Sequence, residues 1–171
     1  MDTSFETAKT GTDEWLTPPY ILEAFETFDL DPCSPINRPW DTAKIHYTVK
    51  DDGLSKEWKG NVWCNPPYGR ETGKWLKKLS EHGNGVALIF ARTETRNFFN
   101  YIWKKADGIF FIKGRLKFYT VDGKQASNSA GAPSCLVAYG EHNNNQLKNI
   151  KLNGIYLPIT KKINSVVKFV K

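Results

Sequence analysis

The sequence predicts an α/β fold, a mostly parallel sheet finished by a C-terminal antiparallel hairpin. Three observations predict it. Short apolar runs at 61–64, 86–90 and 108–112 alternate with helix-patterned stretches at 74–82 and 93–105, the order expected of strands joined by helical crossovers. Val86-Ala87-Leu88-Ile89-Phe90 and Gly108-Ile109-Phe110-Phe111-Ile112 are apolar almost throughout, as strands buried on both faces are. After residue 112 the pattern changes to alternation broken by turn residues, which suits antiparallel pairing.

Residues 1–12 are polar, rich in Thr and aperiodic, and are expected to form a flexible arm. Thr17 is a candidate N-cap, with Pro18 at a first helical position that needs no N–H. The helix so opened, over 18–27, places Ile21, Leu22 and Phe25 on one face. Phe28-Asp29-Leu30-Asp31-Pro32-Cys33-Ser34 reads as a strand with Phe28 and Leu30 inward, ended by an acidic residue and a proline. Ligands of open α/β sheets bind outside the carboxyl ends of strands, so Asp31 is expected to face a crevice. A loop over 34–41 follows, then strand-like alternation at 44–49, the turn Asp51-Asp52-Gly53 and a short helical turn over 54–58.

The central run, Asn61-Val62-Trp63-Cys64, stops abruptly in Asn65-Pro66-Pro67-Tyr68. Neither proline has an N–H, and each holds φ near −65°, so the sheet cannot continue through them. Beyond this rigid turn, the helix over 74–82 turns Trp75, Leu76 and Leu79 inward and stops at Gly83-Asn84-Gly85. The helix over 93–105 does the same with Phe98, Phe99 and Ile102. Residues 115–120 alternate, 121–124 supply a turn, and 134–139 return as a strand, so 115–133 reads as a hairpin or loop. A last strand is expected at 152–159, inside an Asn- and Lys-rich extension over 141–171.

Composition limits the function classes. At 171 residues the chain is one domain in size. No apolar run approaches the roughly 20 residues that span a bilayer, and the start lacks the pattern of a secretory leader, so a cytoplasmic protein without a membrane partner is expected. Cys33, Cys64 and Cys135 form no CxxC pair, and His46, His82 and His142 have no ligand-like spacing, so no metal is expected. The formal net charge of +6 permits a polyanionic partner without requiring one. Gly69-Arg70-Glu71-Thr72-Gly73-Lys74 is one residue short of a phosphate loop and lacks a following Ser or Thr, which argues against a nucleoside triphosphatase.

Asn65-Pro66-Pro67-Tyr68 suits chemistry on an exocyclic amine conjugated with an aromatic ring. The lone pair of such a nitrogen is delocalised and weakly nucleophilic. Two acceptors gripping its N–H bonds favour a more tetrahedral nitrogen; the Asn65 side chain offers one and the Pro66 main chain the other. Tyr68 offers a ring for a base to stack on, worth about 1–3 kcal/mol. Positioning and preorganised polar groups carry such a reaction.

The tetrapeptide is similar to the catalytic motif of S-adenosylmethionine-dependent amino methyltransferases, and Leu30-Asp31-Pro32-Cys33-Ser34 resembles their cofactor motif in its Asp-Pro form. With Trp15, Thr17-Pro18, Tyr47-Thr48, Asp52-Gly53-Leu54, Trp58 and Gly114-Arg115-Leu116-Lys117-Phe118 in order, residues 13–140 resemble the small phage and prophage Dam-like DNA N6-adenine methyltransferases. The resemblance implies a Rossmann-like class I methyltransferase domain over 13–140 and methylation of a flipped adenine in DNA, as phage or prophage DNA modification against restriction in a bacterial host cell. It implies cofactor contacts from Trp15, Thr17, Pro18, Asp31, Pro32, Cys33, Ser34 and Asp52, and catalytic roles for Asn65, Pro66, Pro67 and Tyr68. It makes 115–133 the target-recognition segment, with Arg92, Arg96, Arg115 and Lys117 as DNA contacts.

The chain departs from larger relatives in two ways. Ser34-Pro35-Ile36 stands where they carry glycines, and only about thirty residues separate the two motifs, so part of the usual half-sheet is abbreviated and no ribose-binding acid is named. Alternative readings are methylation of RNA or of a protein glutamine amide, and a nucleic-acid-binding relative without catalysis.

Overall fold

A computed structural model describes residues 14–159; the arm expected over 1–12 and residues 160–171 lie outside the described residues. Seven strands form one sheet: β1 (Phe28–Asp31), β2 (Ala43–His46), β3 (Val62–Cys64), β4 (Gly85–Phe90), β5 (Gly108–Ile112), β6 (Ser134–Tyr139) and β7 (Gly154–Pro158), in the order β2-β1-β3-β4-β6-β5-β7. Strands β2, β1, β3 and β4 are parallel. Strand β6 is antiparallel to both β4 and β5, and β7 is antiparallel to β5. The helices are α1 (Pro19–Leu22), α2 (Thr72–His82), α3 (Arg96–Phe98) with a π-helical turn over Phe99–Trp103, and α4 (Glu141–Lys148).

The central strands bury both faces, and along β3 and β4 period-two alternation sends successive residues to opposite cores. Leu30, Val62, Cys64, Ala87 and Ile89 pack with Trp75, Leu76 and Leu79 of α2. Phe28, Trp63, Val86, Leu88 and Phe110 share the opposite core with Ile21 of α1 and Leu147 of α4. Helix α2 matches its sequence pattern closely and ends on Gly83 at φ 73°, the left-handed conformation that glycine adopts without penalty.

Several expectations need correction. Residues 115–120 form no sheet strand: Gly114, at φ 83°, turns the chain away after β5, and only isolated pairings of Tyr119 with Leu16 and Gln125 follow. Strand β6 therefore lacks the mate expected over 115–120; it pairs instead with β5 and inserts between β4 and β5, so β5 runs in the direction of β4 without being its neighbour. Helix α1 is a single turn. Pro18 is its N-cap, with no side-chain cap bond, so Thr17 does not cap it. The stretch over 93–105 starts at Thr95, whose hydroxyl accepts from the Phe98 N–H, and unwinds into the π-helical turn, leaving Phe99 39% exposed rather than inward. The strand expected over 152–159 is present as the edge strand β7, preceded by α4.

This topology brings the carboxyl ends of β1, β3, β4 and β5 and the amino end of β7 to one edge of the sheet. Among the described residues no helix is long and apolar enough to cross a membrane, and no group of three His, Cys, Asp or Glu could hold a metal ion.

Candidate active site

Two strand ends, of β1 and β3, build the site from adjacent positions in the sheet. At the end of β1, Asp31 is only 3% exposed. Its Oδ1 accepts from the Cys33 N–H at 3.1 Å and its Oδ2 from the Thr42 hydroxyl. Burial pushes its carboxyl up to about 6, against the pull of these hydrogen bonds and of the Arg38 charge. Backbone bonds from Tyr47 N to Asp31 O (2.8 Å) and from Ser34 N to Tyr47 O (3.0 Å) fix the loop that follows.

Asp52 and Gly53 lie against that loop. Asp52 takes φ 51°, uncommon for a residue with a Cβ, and a Cβ on Gly53 would stand 1.9 Å from the Pro32 carbonyl oxygen. The turn is held from beneath. Trp58 Nε1 donates to the Gly53 carbonyl at 2.8 Å, and Lys78 Nζ of α2 donates to Leu54 O at 2.7 Å and to Lys56 O. The Lys78 ammonium sits 5.1 Å over the Trp58 ring, which stacks on Trp75.

At the end of β3 the Asn65 amide is oriented by its Nδ2, which donates to the Trp15 carbonyl at 3.1 Å. Its Oδ1 accepts a long bond, 3.3 Å, from the Tyr68 hydroxyl. Burial raises the Tyr68 phenol well above its ordinary range, so it stays protonated and a donor. The Tyr68 ring stacks on Phe90 (4.1 Å between centroids) and meets Phe118 edge-on at 5.9 Å. Three consecutive main-chain carbonyls differ in their partners. That of Asn65 accepts from Cys33 Sγ at 3.4 Å and that of Pro67 from the Thr72 hydroxyl at 2.7 Å. The carbonyl of Pro66 has no partner among the described residues. The Cys33 contact, with Cys33 Sγ 3.9 Å from Cys64 Sγ, joins the two strand ends.

Both halves open into one cavity of about 360 Å3, within the range of small-molecule sites, about 300–1,000 Å3. Asn65, Pro66, Pro67 and Tyr68 line it, as do Trp15, Thr17, Asp31, Pro32, Cys33, Ser34 and Asp52. Pro18 does not line it. Arg92, Arg96, Arg115 and Lys117 lie outside as well: Arg92 follows β4, Arg96 opens α3, and Arg115 and Lys117 are exposed beside buried Leu116 and Phe118. Sequence reasoning missed Thr42 and Lys78. Thr42 carries no local signal. Lys78 sits on α2 one turn from Trp75, and its exposed-face pattern conceals a side chain that reaches back to a distant turn.

A search of curated proteins finds no match. The family model described as DNA N-6-adenine-methyltransferase (Dam) matches residues 4–154, and the chain belongs to that family.

Proposed function

We propose that the cavity holds S-adenosylmethionine beside an adenine flipped out of duplex DNA, and that the protein methylates that adenine at N6. The observation that carries this reading is the pair of oxygens at the end of β3. Asn65 Oδ1 accepts only a long bond, and the neighbouring Pro66 carbonyl has no partner among the described residues, both in residues lining the cavity. Two acceptors side by side are what an –NH2 group with two N–H bonds requires.

The residues of the β1 half fit the cofactor. A buried carboxylate at Asp31 matches an ammonium, and Trp15 and the Asp52–Gly53 turn wall the cavity for an apolar and aromatic body. Bound there, S-adenosylmethionine supplies a methyl group on a positively charged sulfur. Every other contribution comes from this chain. Asn65 and Pro66 accept the two N6–H bonds and turn the nitrogen lone pair toward the methyl carbon. Tyr68, backed by Phe90, gives the base a surface to stack on. The Trp15 carbonyl keeps Nδ2 of Asn65 turned away so that Oδ1 faces the substrate. Methylation there would release one N6 proton, which passes to water. A base must leave the stack to reach such a cavity.

The abbreviated α/β domain over 14–159 is read as the class I methyltransferase arrangement, with Arg92, Arg96, Arg115 and Lys117 facing DNA around the cavity mouth. The biological setting we propose is phage or prophage DNA modification. Incubation with radiolabelled S-adenosylmethionine and, in parallel, unmethylated duplex DNA, RNA and a glutamine-bearing peptide tests the reading. Label recovered as N6-methyladenine from DNA is expected; label only in RNA or peptide would overturn it.

A further inference from the structure

Apart from the candidate active site lies a second concavity, about 350 Å3, between α1 and the turns flanking β5 and β7. Tyr20, Lys113, Lys151 and Asn153 supply its polar groups. Lys113 follows β5 directly and Lys151 shortly precedes β7, so the topology puts both on the sheet edge that carries Asn65-Pro66-Pro67-Tyr68. The Lys113 N–H donates to the Asn153 carbonyl at 2.8 Å and ties the two turns together. No carboxylate among the described residues lines the groove or pairs with either lysine. Burial and the nearby Tyr119 raise the Tyr20 phenol, which keeps it a neutral donor.

The groove is continuous with the segment beside the cavity. Lys113, Arg115 and Lys117 are exposed, whereas Leu116 and Phe118 are buried, and Phe118 meets the Tyr68 ring. Three exposed cations thus stand on the segment that leads from the groove to Phe118, beside the candidate adenine pocket.

We propose that this groove binds a backbone phosphate of the substrate duplex, with the Lys113 and Lys151 ammoniums, the Tyr20 hydroxyl and the Asn153 amide as donors. The inference rests on the DNA-methyltransferase reading. It adds a register to it. From β3 to β7 the sheet order counts four strand spacings, roughly 19 Å at about 4.8 Å each. A duplex lying along that edge reaches the groove about five to six base-pair steps from the flipped adenine, at about 3.4 Å per step.

The test uses the full chain and fluorescently labelled duplexes carrying a methylated target, with anisotropy read across a salt series. Lys113→Ala with Lys151→Ala is expected to make the log K against log salt slope shallower by about 1–2. S-adenosylmethionine affinity by calorimetry is expected to stay within twofold, which also reports that the variant is folded. Lys105→Ala, an exposed charge at the opposite edge of the sheet, is expected to leave the slope unchanged. Shortening one flank of the duplex to about three base pairs is expected to erase the difference between wild type and double variant, whereas shortening the other preserves it. An unchanged slope on long duplexes, an equal loss with Lys105→Ala, or no dependence on either flank would overturn the groove while wild-type methylation of DNA stands. A wild type that methylates no DNA overturns both proposals.

Discussion

Asp31 carries an ionisable group into a place where its charge is poorly solvated. Burial pushes its carboxyl up to about 6, from an ordinary value of 3.8. Because the native state holds the proton more tightly, folding stability falls as pH rises from about 4 to about 6, and the deficit persists at neutral pH. A shift of about two units corresponds to up to about 3 kcal/mol. A cationic ligand group offsets that deficit by pairing with the carboxylate. Asp31→Asn is therefore expected to raise the melting temperature at pH 7.5 but not at pH 4, and to weaken S-adenosylmethionine binding at pH 7.5. Thermal melts at the two pH values with calorimetry check this; an equal shift in melting temperature at both would contradict it.

At the same scale, Asp31 and Asn65 were legible because each ends a strand-like stretch and is followed by proline, a change the chain announces locally. Their partners were not. Trp15 enters through its main-chain carbonyl, which any residue possesses, so no side-chain signal marks its hold on Asn65. Thr42, just ahead of β2, reaches Asp31 from eleven residues away in sequence, so nothing local marks the pair.

Among elements, the turn over 51–56 shows how a helix on one face of the sheet serves the cavity. Lys78 gives its ammonium to backbone carbonyls of that turn, and Trp58 adds a further bond. Lys78→Met keeps the stem packed on Trp58 and removes those hydrogen bonds. The expected loss is about 1–3 kcal/mol of stability, together with weaker cofactor binding, by urea titration and calorimetry. Gly53→Ala is expected to be worse, since its Cβ would overlap the Pro32 carbonyl. A fully stable Gly53→Ala protein with unaltered cofactor affinity would refute this account of the turn.

Helix α2 and strand β4 follow directly from local periodicity, because each buries one clear face or both. The segment over 115–120 misled the alternation rule. Leu116 and Phe118 do point inward, but toward Tyr68 and Phe110's side of the core rather than onto a partner strand. Alternation records which side chains are buried; it does not say whether the backbone finds a neighbour.

For the molecule as a whole, the order of strands depends on contacts far apart in sequence. The insertion of β6 between β4 and β5 is written in six consecutive buried residues, which say that the strand is central but not which strands flank it. Strand β7 covers the outer edge of β5, and α4 buries Leu147 against the sheet. A chain ending after Gly140 would expose the β5 edge and part of the core, and is expected to be insoluble or to lose cooperative melting. A soluble, cooperatively folding 1–140 fragment would show that residues 141–159 are dispensable for the fold.

The central claim is that the end of β3 grips the amine of an adenine while a separate group of residues holds the cofactor. Asn65→Ala tests it most directly, with S-adenosylmethionine affinity by calorimetry and methyl transfer to DNA measured on the same preparation. The expected result is cofactor binding within a few-fold of wild type and turnover reduced on the order of 10²–10³, the size of loss when one preorganised polar group at a reacting centre is removed. Turnover that survives the substitution, or cofactor binding that disappears with it, would contradict the assignment.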